Sequence, residues 1–79
     1  MSDDLAAIVV RRMVINGCTL EEMESLAKLF KAAGVNKETI IAMLQASRTH
    51  APTEAIDDII LEVLDFVGGY CPPWRRIFP

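Results

Sequence analysis

Between Thr53 and Gly69 the apolar residues Ile56, Ile59, Ile60, Val63, Leu64 and Val67 fall at i, i+3, i+4, i+7, i+8 and i+11. Only an α-helix, turning once every ~3.6 residues, gathers that spacing onto one face. Thr53 stands where an N-cap accepts from a free backbone N–H, and Gly68-Gly69 stands where a helix stops. The other face carries Glu54, Asp57, Asp58, Glu62 and Asp65 and no base. Such a segment, a helix over 54–67, must bury one side and solvate the other.

Three further segments repeat the pattern. The first, over 3–15, has Ser2 as N-cap and Asp3 and Asp4 at the positive end of the helix dipole. Its expected core stripe is Leu5, Ile8, Val9 and Met13, and Asn16-Gly17 reads as a left-handed exit. Val10, Val14 and Ile15 widen the apolar surface beyond one stripe, so this helix should be covered on more than one side. The second, over 20–33, opens with a Thr19/Glu22 capping box and carries Leu20, Met23, Leu26, Ala27 and Phe30, with Gly34 after it. The third, over 37–48, starts from Asn36, carries Ile40, Ile41, Met43 and Leu44, and gives way to Thr49-His50-Ala51-Pro52. No segment alternates with the period of a strand. The connections are short, so consecutive helices should be neighbours. The reading is an all-α, four-helix bundle-like domain over residues 1–69 with an extended Pro/aromatic/Arg tail over 70–79.

A chain of 79 residues has room for one domain and buries a modest share of its surface. With 52% hydrophobic residues it has too much apolar material for disorder, and enough to cover a surface shared with a partner or a second copy. The net charge of −3 disfavours sequence-independent nucleic-acid binding, which draws its affinity from neutralising phosphates. Cys18 and Cys71 are too few for a disulfide framework. The first residues run acidic, then apolar, then Arg11-Arg12, the wrong order for a signal peptide. No apolar run approaches the ~20 residues of a membrane span. These features predict a cytoplasmic protein with reduced thiols.

Catalysis is not expected. The single histidine, His50, falls in a connecting loop, and neither cysteine has a histidine near it in sequence. No CxxC or HxxxH spacing suggests a metal, no glycine-rich loop suggests a phosphate, and no cofactor is implied.

Three stretches carry possible binding chemistry. Residues 26–48, LAKLFKAAGVNKETIIAMLQASR, resemble the helix-turn-helix of DNA-reading proteins. Gly34 sits at the turn, Val35 and Asn36 follow, and Thr39-Ile40 and Leu44 stand where the second helix is anchored. That resemblance implies base contacts from Lys37, Gln45 and Arg48. It departs from the motif at Phe30, a bulky residue where a small one is usual, and at Glu38, Ile41 and Ala42, which suit a DNA-facing surface poorly.

The tail, GGYCPPWRRIFP, holds Tyr70, Trp74, Ile77 and Phe78 interleaved with Arg75 and Arg76, the residue types that dominate binding hot spots. Pro72-Pro73 excludes helix there. Either the tail is a partner-binding arm, or it folds back so that Trp74 and Phe78 cap the core while the arginines meet the acidic face of the fourth helix. Finally, EVLDFVGG over 62–69 is similar to double-glycine leaders of processed peptides, which implies cleavage after Gly69 and a core peptide YCPPWRRIFP. Asp58 departs from that pattern where a further apolar residue is usual.

The expectation is a non-catalytic regulator, adaptor or inhibitor that binds another protein. Its predicted contacts are Tyr70, Trp74, Arg75, Arg76, Ile77 and Phe78 of the tail and Asp57, Asp58, Glu62 and Asp65 of the acidic face. A homodimer is expected to form through Val10, Val14, Ile15, Ile41 and Met43. DNA reading and peptide processing are the alternatives.

Overall fold

The computed structural model describes residues 2–79. Four α-helices follow one another: α1 (Asp3–Asn16), α2 (Leu20–Ala32), α3 (Lys37–Ser47) and α4 (Glu54–Gly68). Short 3₁₀ turns at Arg48–His50 and Pro73–Arg75 follow α3 and open the tail. No strand occurs among the described residues, and none of the helices is long and apolar enough to cross a membrane.

Each helix starts where its capping residue places it. Ser2, Thr19, Asn36 and Thr53 are all extended and each accepts from the backbone N–H three residues on. At Thr19 the exchange is mutual, since the Glu22 carboxylate also accepts from the Thr19 N–H at 2.9 Å. The exits differ. Gly69 adopts the left-handed conformation, and its N–H and that of Tyr70 both donate to the Asp65 carbonyl at 2.9 Å. Gly17 has a positive φ of 84° but an extended ψ of 146°, so it ends α1 without the expected left-handed cap.

The helices pack into a flattened body of 31 × 28 × 17 Å. The α4 helix lies against α2 and α3, whereas α1 packs chiefly on α3. One core joins Met23, Phe30, Ile40, Leu44, Ile60, Val63 and Val67 with Val10 and Val14. Ser47, the buried polar residue, is satisfied because its hydroxyl donates to the Leu44 carbonyl at 2.7 Å.

The stripe of α1 is rotated from the expected one: Val9 and Met13 pack partly buried against the core, but its centre and its far edge differ. Ala6, Val10 and Val14 are the buried residues, whereas Leu5 and Ile8 stand about half exposed. The buried side chains of α1 are thus small ones, and Ala7 of α1 with Ala42 and Ala46 of α3 leaves a recess beside that contact. Val10 and Val14 therefore belong to the core and not to an association surface.

The tail is neither wholly an arm nor the expected cap. Ile77 is 4% exposed, and its N–H donates to the Phe66 carbonyl at 3.0 Å. Lys31 Nζ donates to the Ile77 carbonyl at 2.7 Å and lies 5.2 Å from the centre of the Phe78 ring. Arg75 covers the Phe66 ring at 4.3 Å and reaches Glu24 of α2 at 3.7 Å, rather than the acidic face of α4. Trp74 caps nothing: it is 82% exposed.

Candidate functional site

The α4 helix presents two kinds of surface to solvent, set by its sequence at ~100° per residue. Beside its buried stripe, on the side of α3, stand Leu64 and Leu61. Next round the helix come Glu54, Asp65 and Asp58, all exposed, and then Glu62. Leu61 is the informative residue, since it interrupts an otherwise acidic arc with an apolar side chain that the core does not use.

Facing Leu61 and Leu64 across a shallow groove are Ile41 and Gln45 of α3, and Tyr70 closes one end. The groove holds about 450 Å³. Tyr70 reaches it because α4 ends in glycine: its ring lies 3.2 Å from where a Cβ on Gly68 would stand. At 83% exposure the Tyr70 side chain has most of its surface available.

Electrostatics separates the acids of α4 into two groups. Asp57 is occupied: both its oxygens accept from Arg48, at 2.9 and 3.1 Å. The hydrogen bonds and the guanidinium charge hold the Asp57 carboxyl below its ordinary range. Among the described residues Asp58, Glu62 and Asp65 have no ion-pair partner. The groove is thus lined mainly by apolar side chains, with Gln45 on the α3 side and the Asp65 carboxylate on the α4 side.

The remaining predicted residues divide among other places. Ile41 lies in this groove, whereas Met43 lies on the other side of α3, with Ala7, Arg11, Ala46 and His50 around a second, smaller recess. Ile15 is about half exposed near the end of α1. Lys37 is partly buried, Gln45 lines the acidic groove and Arg48 is committed to Asp57. In the tail, Tyr70, Trp74 and Arg76 are exposed, whereas Arg75, Ile77 and Phe78 are packed against α2 and α4. The sequence reading missed Leu61 and assigned Leu64 to the core stripe.

The groups with catalytic or ligating chemistry are dispersed. No cluster of three or more His, Cys, Asp or Glu side chains could hold a metal among the described residues. Burial, and then the nearby Glu22 carboxylate, push the Cys18 thiol above its ordinary range, which keeps it protonated and a poor nucleophile at neutral pH.

No protein family, characterised protein or solved structure matches this chain.

Proposed function

We propose that the protein is a non-catalytic binding module, acting as a regulator, adaptor or inhibitor, whose α3/α4 groove receives a basic apolar segment of another protein. The observation that carries this reading is the pairing of Ile41, Leu61, Leu64 and Tyr70 with the unpaired carboxylate of Asp65 in the groove wall, with Asp58 next to it round the exposed side of α4. An amphipathic helix with leucine-sized anchors at i, i+3 or i+4 would lay its apolar side into the groove. Lysine or arginine beside those anchors would meet the acidic edge, which sets orientation and association rate more than final affinity. Trp74, exposed on the tail, offers a separate contact of a residue type typical of hot spots.

Two features support this over DNA reading. Arg48 is already hydrogen-bonded to Asp57, and the surface beside Gln45 carries carboxylates that would repel phosphate.

The test is site-specific photo-crosslinking in the native host, with a photoreactive phenylalanine analogue at Tyr70 and, separately, at exposed Ala33 as control. We expect a discrete crosslinked protein from position 70 that disappears when Leu61→Lys is added. Crosslinks of equal yield from position 33, or crosslinks indifferent to Leu61→Lys, would place the working surface elsewhere.

A further inference from the structure

The outer face of α1 gathers exposed apolar side chains that neither the core nor the groove uses. At ~100° per residue, Arg11, Asp4, Ile15, Ile8, Arg12 and Leu5 fill one arc of about 120°, and it lies nearly opposite the buried Ala6, Val10 and Val14. Leu5, Ile8 and Ile15 are each about half exposed, with Ile8 at 52%. A single exposed leucine needs no explanation, but three on one helical face do.

The charges within this arc say what fits it. Asp4, Ile8 and Arg12 form one i, i+4 row, with an acid one turn before the isoleucine and a base one turn after it. A row that reads acid, apolar, base is complementary to itself when a second copy runs antiparallel. With the two-fold axis at Ile8, each Asp4 meets the other copy's Arg12, ~6 Å along the helix on either side. Among the described residues neither Asp4 nor Arg12 is engaged in an ion pair within the monomer, so both are available.

We propose that the chain forms an antiparallel homodimer through the outer face of α1, centred on Ile8. This surface is distinct from the α3/α4 groove, so dimerisation leaves the groove open and presents two copies of it. One helix face of 14 residues buries less than the ~800 Å² per partner of a standard interface, so the dimer is reversible and depends on concentration.

The experiment is sedimentation equilibrium of the full chain from about 10 μM to about 1 mM, a range suited to a weak dimer. The mass should rise from 8.8 kDa towards twice that value. Ile8→Asp should weaken dimerisation about tenfold or more, while circular dichroism stays helical because Ile8 is outside the core. Asp4→Arg and Arg12→Asp should each weaken it, and the double variant should recover it by restoring opposite charges across the axis. A monomer at every concentration would overturn the proposal. So would a dimer that ignores Ile8→Asp, one that Leu61→Lys disrupts instead, or a double variant no better than the singles.

Discussion

Helices α1 and α4 are of similar length, capped alike at their N-termini, and differ in what their faces say. On α4 the apolar residues make one broad stripe and the acids occupy the rest, so the buried side is declared by composition alone. On α1 leucine, isoleucine and valine occur almost all the way round. There the choice of buried side falls to shape, and the small Ala6, Val10 and Val14 win because they let α1 approach α3. The larger Leu5 and Ile8, more hydrophobic in isolation, are left outside. Hydrophobicity decides that a helix is buried somewhere; fit decides which face.

The strongest way to break that comparison is to truncate side chains on both faces of both helices. Ile60→Ala in α4 should cost about 2–5 kcal/mol, and Val14→Ala in α1 about 2 kcal/mol, since both side chains are fully buried. Ile8→Ala should change monomer stability by less than about 0.5 kcal/mol. Urea midpoints, measured at a concentration where the chain is monomeric, decide the matter. Equal losses at positions 8 and 14 would refute the rotated stripe.

The helix ends offer a smaller contrast. Gly69 is left-handed and lines up two N–H groups on the Asp65 carbonyl, so Gly69→Ala should cost about 1–2 kcal/mol through backbone strain alone. Ser2→Ala, at the start of α1, removes a single exposed hydrogen bond and should cost about 0.5–1 kcal/mol. Thermal unfolding would rank them; the reverse order would mean that α1 depends on its cap more than α4 depends on its exit.

Smallest is the surface pair between Arg48 and Asp57. Pairing lowers the folded-state pKa of Asp57, so its stabilising contribution is fully present above the ordinary carboxylate range. It is lost as pH falls through that range and then through the lower folded value. Arg48→Met should therefore lower stability slightly at neutral pH, and its difference from the parent should vanish on acidification. A difference that persists in acid would show that Arg48 acts through its packing rather than its charge.

Much of this architecture is legible in the sequence because caps are local chemistry. Ser2, Thr19, Asn36 and Thr53 each announce a helix start that the structure bears out to the residue, and Gly69 announces a stop. The α3/α4 groove is less legible. Its acid is visible in the row on α4, but that Leu64 packs on the core and also lines a groove is known only once α3 is placed, and Leu61 has meaning only as an apolar residue stranded among carboxylates. The tail was least legible, since no periodicity tells Ile77, which is anchored by the Phe66 carbonyl and Lys31, from Trp74, which is left in solvent. Nonlocal contacts decide between them.

The central claim is that the α3/α4 groove is the binding surface, and chemical-shift mapping tests it most directly. The ¹⁵N-labelled chain would be titrated with a designed amphipathic helix bearing leucine on one side and lysine on its flanks, beside an otherwise identical peptide with glutamate flanks. The account predicts shift changes confined to Ile41, Gln45, Leu61, Asp65 and Tyr70 for the lysine peptide, weakened by Asp58→Lys with Asp65→Lys. Shifts centred on α1, or equal binding of the two peptides, would contradict it.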